Sequence, residues 1–191
     1  MSERLSLRQQ LLQIGFQRCD PPITFADGQT ANNKLELSYD AVRQHDDVYQ
    51  RVIVGLFQLA RPYKPDFIVG IPNGATEYAL QVAIMLDVHQ IMLDKDDDTK
   101  ALSYASTIDY QKVQGLQRGI LVEDVINRRS SLERAMRLPD MAAKIVGVIG
   151  VFDRGLMAER RSLNVPVQCI ATMPIPAQLS TEFNPVSLYD S

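Results

Sequence analysis

Glu123 and Asp124 lie in the apolar run Gly119-Ile-Leu-Val-Glu-Asp-Val-Ile126, which leads into Asn127, Arg128, Arg129, Ser130 and Ser131, a polar stretch with the hydroxyls of a helix start. Such a run reads as a buried strand, so the pattern predicts two carboxylates at a strand's C-terminal tip with helix-opening N–H groups just behind them. Carboxylates accept hydrogen bonds from sugar hydroxyls, whereas N–H groups left over in a first helical turn attract a phosphate. One loop carrying both would grip a sugar phosphate at its two ends. The same residues also suit an ordinary turn between a strand and a helix. Arg128 and Arg129 either add charge-assisted hydrogen bonds to a phosphate or fill the hollow and pair with nearby acids.

Further strand ends carry polar chemistry. After residues 66–71 comes Pro72-Asn73-Gly74-Ala75, a tight turn into a helix that either presents backbone N–H groups to a ligand or is a plain connection. After residues 144–152 comes Asp153-Arg154-Gly155. A guanidinium there can form two parallel hydrogen bonds with a ligand carboxylate or carbonyl, or an ion pair beside its own aspartate. Asp94-Lys95-Asp96-Asp97-Asp98-Thr99-Lys100 places aspartates in the alternation that opens a calcium loop, but Thr99 stands where that loop needs glycine and Ala105 where it needs glutamate. The run is expected to be a solvated, mobile loop, with help in holding Mg2+ as the alternative. His45 and His89 have no metal-ligand partner at helical spacing and read as structural.

The elements that must position these residues alternate. Helical spacing covers residues 5–16 and 48–60, the second ending before Pro62. Between them, short strands at 23–25 and 34–38, joined by a turn over 26–29, predict a small antiparallel flap. Strands are then expected at 66–71, 89–93, 119–126, 144–152 and 167–171, with helices at 75–86, 131–137 and 157–161 and a polar connection reaching to about residue 117. Strand and helix in alternation imply a doubly wound α/β fold, a mostly parallel sheet with helices on both faces and ligands at the strand C-terminal ends.

A chain of 191 residues, 46% hydrophobic and 23% charged, supports one well-buried core, so a single domain is expected: helix and hood over 1–45, core over 46–172, tail over 173–191. A net charge of -3 without a basic cluster leaves no electrostatic footprint for nucleic acid or an anionic membrane. Two distant cysteines, no signal-peptide pattern and no apolar stretch of membrane-spanning length point to the cytoplasm.

With its acidic strand end, its Asn73-Gly74 turn and its Asp153-Arg154 strand end, the chain resembles the type I phosphoribosyltransferases over residues 23–172, and among them is most similar to orotate phosphoribosyltransferases. The resemblance implies transfer of ribose 5-phosphate from phosphoribosyl diphosphate (PRPP) to a pyrimidine-like base, with release of diphosphate, Mg2+ as cofactor and a homodimer as assembly. It implies Glu123 and Asp124 on the ribose hydroxyls, Asn127, Arg128, Arg129, Ser130 and Ser131 around the 5-phosphate, and Asn73 and Gly74 toward the diphosphate. Arg154 would recognise the base, and Lys95 and Asp124 would be catalytic. Aspartates 94 and 98 and Ala26 stand where the family carries basic residues, and Arg128 and Arg129 replace its small ones. The alternative is the same fold without catalysis, binding a nucleotide or PRPP as an effector or serving as an oligomerisation module.

Overall fold

The computed structural model describes residues 5–24, 30–127, 129–154 and 163–172. Strands β3 (Phe67–Gly70), β7 (Gly119–Ile126) and β8 (Ile145–Asp153) are apolar on both faces. A strand with no polar face must be covered on both sides. Ile68, Ile120, Val122, Ile149 and Val151 point into one core, with helices α3 (Asp46–Ala60) and α4 (Thr76–Leu86). Phe67, Val69, Leu121 and Val148 point into the other, with helices α5 (Thr107–Gly115) and α6 (Ser130–Met136).

The main sheet has the order β4-β3-β7-β8-β9, where β4 is His89–Ile91 and β9 is Val167–Thr172, and all its pairings are parallel. The doubly wound expectation therefore holds. From β3 the chain moves outward to β4 and then crosses back to β7 on the opposite side of β3. Connections diverge there, which opens a crevice at the C-terminal ends of β3 and β7.

The N-terminal part is α1 (Leu7–Gly15), the antiparallel pair β1 (Phe16–Thr24) and β2 (Thr30–Leu35), and the short α2 (Tyr39–Val42). The flap is thus present, but longer than its sequence pattern: β1 starts at Phe16, which the helical spacing had assigned to α1, and β2 ends at Leu35. Ser6 and Gln9 form a reciprocal cap at the start of α1. The expected helix at 157–161 and the tail 173–191 lie outside the described residues. Among those described, no helix is long and apolar enough to cross a membrane.

The largest departure is the connection between β4 and β7. Its acidic run forms a β-hairpin, β5 (Leu93–Lys95) with β6 (Leu102–Tyr104), followed by α5. The strand expected through Leu93 breaks at Met92, whose N–H donates to the Asp109 carboxylate (3.2 Å) and whose carbonyl accepts from Ala105 N–H (3.0 Å). Asp109 is buried, and it also accepts from the Ser106 hydroxyl while its own N–H donates back to that oxygen (3.1 Å). One carboxylate thus joins the end of β4 to the start of α5. At the other end of α5, the Lys144 ammonium donates to the carbonyls of Val113 and Gln114, where a cation complements the helix dipole.

Asp109→Ala removes this joint and leaves the Met92 N–H without its acceptor. The expected loss is about 1–3 kcal/mol of unfolding free energy, read as a lower midpoint in urea denaturation.

Candidate functional site

The acid pair does not sit at a strand tip. β7 continues through both acids to Ile126 because β8 runs beside it, pairing Glu123 with Gly150 and Ile126 with Asp153. β3 stops earlier: its last pair is Gly70 with Val122, and Ile71 N–H closes the ladder on Val122 O at 2.9 Å. Beyond Val122 the acids therefore occupy a strand edge that has lost its neighbour on the β3 side. The vacated lane holds the turn Ile71-Pro72-Asn73-Gly74-Ala75.

That turn meets Asp124 closely. A Cβ added to Gly74 would lie 2.1 Å from Asp124 Oδ2, so the contact exists only because residue 74 has no side chain. Gly70 is equally constrained, with an added Cβ 2.5 Å from the carbonyl oxygen of Ala75. Asp124 Oδ1 accepts from Val125 N–H at 2.7 Å. The Pro72–Asn73 peptide is cis. Ala75 N–H donates to Ile71 O (3.1 Å), and Gly74 O accepts from Tyr39 N–H (3.1 Å). Among the described residues, the N–H groups of Asn73 and Gly74 have no protein acceptor.

Glu123 is buried, and burial pushes its carboxyl well above the usual range, reinforced by the neighbouring charge of Asp124 and a hydrogen bond with it. Lys95 acts in the opposite sense, its ammonium being near enough to favour the charged form of Glu123. The hairpin thus carries Lys95 within electrostatic range of Glu123. Lys100, the other basic residue of the run, donates from its ammonium to Asp97 O within its own turn.

The run is solvated as expected, but it forms the turn of a hairpin and not an open loop. Asp96 accepts from Asp98 N–H (3.1 Å), Thr99 N–H (2.7 Å) and the Thr99 hydroxyl (2.7 Å), and these bonds hold its carboxyl below the usual range. This is an Asx-type turn, in which the side chain takes the place of a backbone acceptor. The hairpin also leans on α6 and the segment after it, through Arg134 to Lys100 O (3.5 Å) and Tyr104 to Pro139 O (2.6 Å).

Behind β7, Asn127 is exposed, and Ser130 and Ser131 open α6 half-buried. Arg128 lies outside the described residues. Arg129 adopts φ 66°, the left-handed conformation that glycine takes without cost, so an arginine occupies a backbone geometry its side chain disfavours. Its Nε is buried. Asp153 is buried and Arg154 half-buried; the Arg154 N–H donates to Ile126 O (2.8 Å), so the loops after β7 and β8 leave from one point. Desolvation lowers the Arg154 pKa.

Two tyrosines at this rim went unread in the sequence. Tyr78, fully buried on α4, donates to Leu37 O (3.0 Å) and Ser38 O (3.4 Å), and its hydroxyl feels the charge of Asp124. Tyr39 packs edge-on against both Tyr78 and Tyr49, with ring centroids 5.6 and 5.5 Å away. Apolar spacing on α4 flags Tyr78 only as core.

Because the folded state raises the Glu123 pKa, its contribution to stability is fully present below the unfolded value of 4.5 and is lost as pH rises through the folded value. Glu123→Gln should remove that loss. Thermal melts across pH are expected to coincide for variant and parent in acid and to separate progressively above pH 4.5, the variant melting higher.

No family model matches the sequence, and no curated protein does. Solved structures do match in fold. Orotate phosphoribosyltransferase from Aeropyrum pernix superposes with a TM-score of 0.62 at 12% identity, over 86% of this chain and 93% of that one. Adenine phosphoribosyltransferase from Thermoanaerobacter pseudethanolicus gives 0.62 at 13%, over 86% and 99%. The Trypanosoma brucei adenine enzyme, in complex with AMP, pyrophosphate and ribose-5-phosphate, gives 0.59 at 15%, over 90% and 82%. Orotate and adenine enzymes match alike, and at these identities the likeness is one of architecture: the chain has the type I phosphoribosyltransferase fold.

Proposed function

We propose that the chain is a phosphoribosyltransferase of the orotate type, taking ribose 5-phosphate from PRPP to a pyrimidine-like base and releasing diphosphate. The observation that carries this reading is the contact of Asp124 with Gly74. It sets the acid pair and two N–H groups without protein acceptors, those of Asn73 and Gly74, on one rim of the switch-point crevice. Sugar hydroxyls and a diphosphate need those two chemistries side by side.

In the proposed reaction the bond from C1 of the ribose to diphosphate breaks, its electron pair leaving with diphosphate, while a base nitrogen forms the new bond to C1 and gives up its own proton to solvent or to the departing diphosphate. Positive charge grows on the ring and negative charge on the leaving group, so stabilisation is mainly electrostatic. Asp124 would accept from a ribose hydroxyl. Glu123, whose neutral form burial favours, would donate one hydrogen bond to the other. Lys95 would place a cation beside the acid pair, Asn127 to Ser131 would surround the 5-phosphate, and Arg154 would meet the base. Mg2+ bound with PRPP would neutralise diphosphate charge. It would be held largely by substrate oxygens, with Asp124 as the nearby carboxylate.

The hairpin favours a second reading, binding of PRPP or a nucleotide without turnover. Lys100 and Asp96 are both engaged inside their own turn, so a basic residue that could have faced diphosphate is held elsewhere.

Purified protein incubated with PRPP, Mg2+ and a panel of pyrimidine and purine bases should release diphosphate with at least one pyrimidine. Calorimetric PRPP binding without release from any base would select the second reading, and absence of binding would reject both. Asp124→Asn, which weakens charge-assisted hydrogen bonds worth about 1.5–3 kcal/mol, should lower PRPP affinity about 10–100-fold.

A further inference from the structure

We propose that Tyr104 is a positioning residue for Lys95: by tethering β6 to the turn at Pro139 it keeps one face of the β5–β6 hairpin, and with it the Lys95 side chain, set toward Glu123. The proposal rests on the phosphoribosyl reading above for what Lys95 meets there.

The register of the hairpin puts Leu93 opposite Tyr104, Asp94 opposite Ser103 and Lys95 opposite Leu102. Directly opposed residues share a face, and successive residues alternate. Leu93, Lys95, Leu102 and Tyr104 therefore form one face, while Asp94 and Ser103, both exposed, belong to the other. The first face is the inner one, since Leu93 is buried in the core that holds α5 and α6, with Leu102 and Tyr104 packed against it. Lys95 is thus turned inward beside apolar neighbours. Glu123, two residues past Leu121 of that core on β7, lies on the same side of the sheet, and the lysine's charge acts on its carboxyl.

Three-residue strands standing outside the main sheet do not hold such a face by themselves. Met92 and the buried Leu93 fix where the hairpin starts, which leaves it a rotation about that start. Leu102 opposes the rotation only by apolar contact, which has no direction. Arg134 reaches Lys100 O at the tip, but at 3.5 Å. The Tyr104 hydroxyl donates to Pro139 O at 2.6 Å, a short and directional bond. Its acceptor is firmly held: Met141 N–H closes the turn 138–141 on Leu138 O (3.1 Å), with proline in second position and φ 63° at Asp140 in third. That is the pattern of a type II turn, whose central carbonyl takes no part in the turn's own bond. Met141 is fully buried, so the turn is seated in the core. Burial, the charge of Asp140 and the neighbouring Tyr110 push the Tyr104 pKa up to about 12, and the phenol remains a donor at neutral pH.

The test measures PRPP affinity by calorimetry for wild type, Tyr104→Phe, Lys95→Met and the double variant. Lys95→Met should weaken binding about tenfold, and Tyr104→Phe about three- to tenfold, the worth of one neutral hydrogen bond. In the Lys95→Met background, Tyr104→Phe should change affinity by less than about twofold, because it acts through the lysine. Tyr110→Phe, which trims a phenol whose ring centroid is 5.3 Å from that of Tyr104 and leaves the Pro139 tether in place, should match wild type. Equal losses from Tyr104→Phe with and without Lys95, or none in either, overturn the positioning role. Should Tyr104→Phe not fold, Asp140→Val replaces it, since a β-branched residue is disfavoured at φ 63° and turns the Pro139 carbonyl away. Deuterium exchange on the ligand-free protein separates the tether from the ligand reading. Tyr104→Phe should speed exchange of the hairpin amides and leave β3, β7 and β8 unchanged. Hairpin amides as slow as in wild type overturn the tether, whatever PRPP does. A wild type that binds no PRPP, with hairpin exchange still dependent on Tyr104, overturns the phosphoribosyl reading alone.

Discussion

The structure depends on unequal strand lengths at the centre of the sheet. β3 ends opposite Val122 while β7 and β8 continue together to Ile126 and Asp153. Had β3 run further, its backbone would have covered the edge where Glu123 and Asp124 lie. Because it stops, the turn that replaces it can bring polar backbone against a carboxylate, and glycine at position 74 is what lets the two approach. Burial then sets the acids apart chemically, Glu123 being driven toward its neutral form in a place shared with Asp124 and Lys95.

The surrounding elements meet that constraint from three directions. α4 and the hood residues Leu37 to Tyr39 fix the turn from one side. The β5–β6 hairpin approaches from another, its place set by Asp109, Tyr104 and Arg134. Arg154 is tied to the end of β7 through its backbone. Side chains outside the acid pair thereby help to shape the rim, Tyr78 through the hood backbone and Asp109 through the joint between β4 and α5.

How much of this was legible follows from where the pattern was apolar. β3, β7 and β8 are continuous apolar runs, and a doubly wound sheet follows from their alternation with helices. The hairpin was hidden because its strands are three residues each and its turn is held by a carboxylate, so Asp94 to Lys100 looked like solvated charge. α5 was missed since only Asp109 and Val113 of it are buried and polar caps hold its ends. Arg129 contradicts its own backbone geometry, so residue type pointed away from the left-handed turn that tertiary packing imposes. The Tyr78 hydroxyl finds its acceptor, Leu37 O, 41 residues away, a separation no local pattern reports.

The self-bonded tip at Asp96 has a thermodynamic consequence for anything that enters the crevice. A cover that must first condense from many conformations subtracts the entropy of that ordering from the affinity of its guest. Here the tip is already stitched by its own aspartate and threonine, so little ordering remains to be done on arrival. Lys95, on the strand that leads into that tip, is thereby carried on ordered backbone within reach of the charge of Glu123.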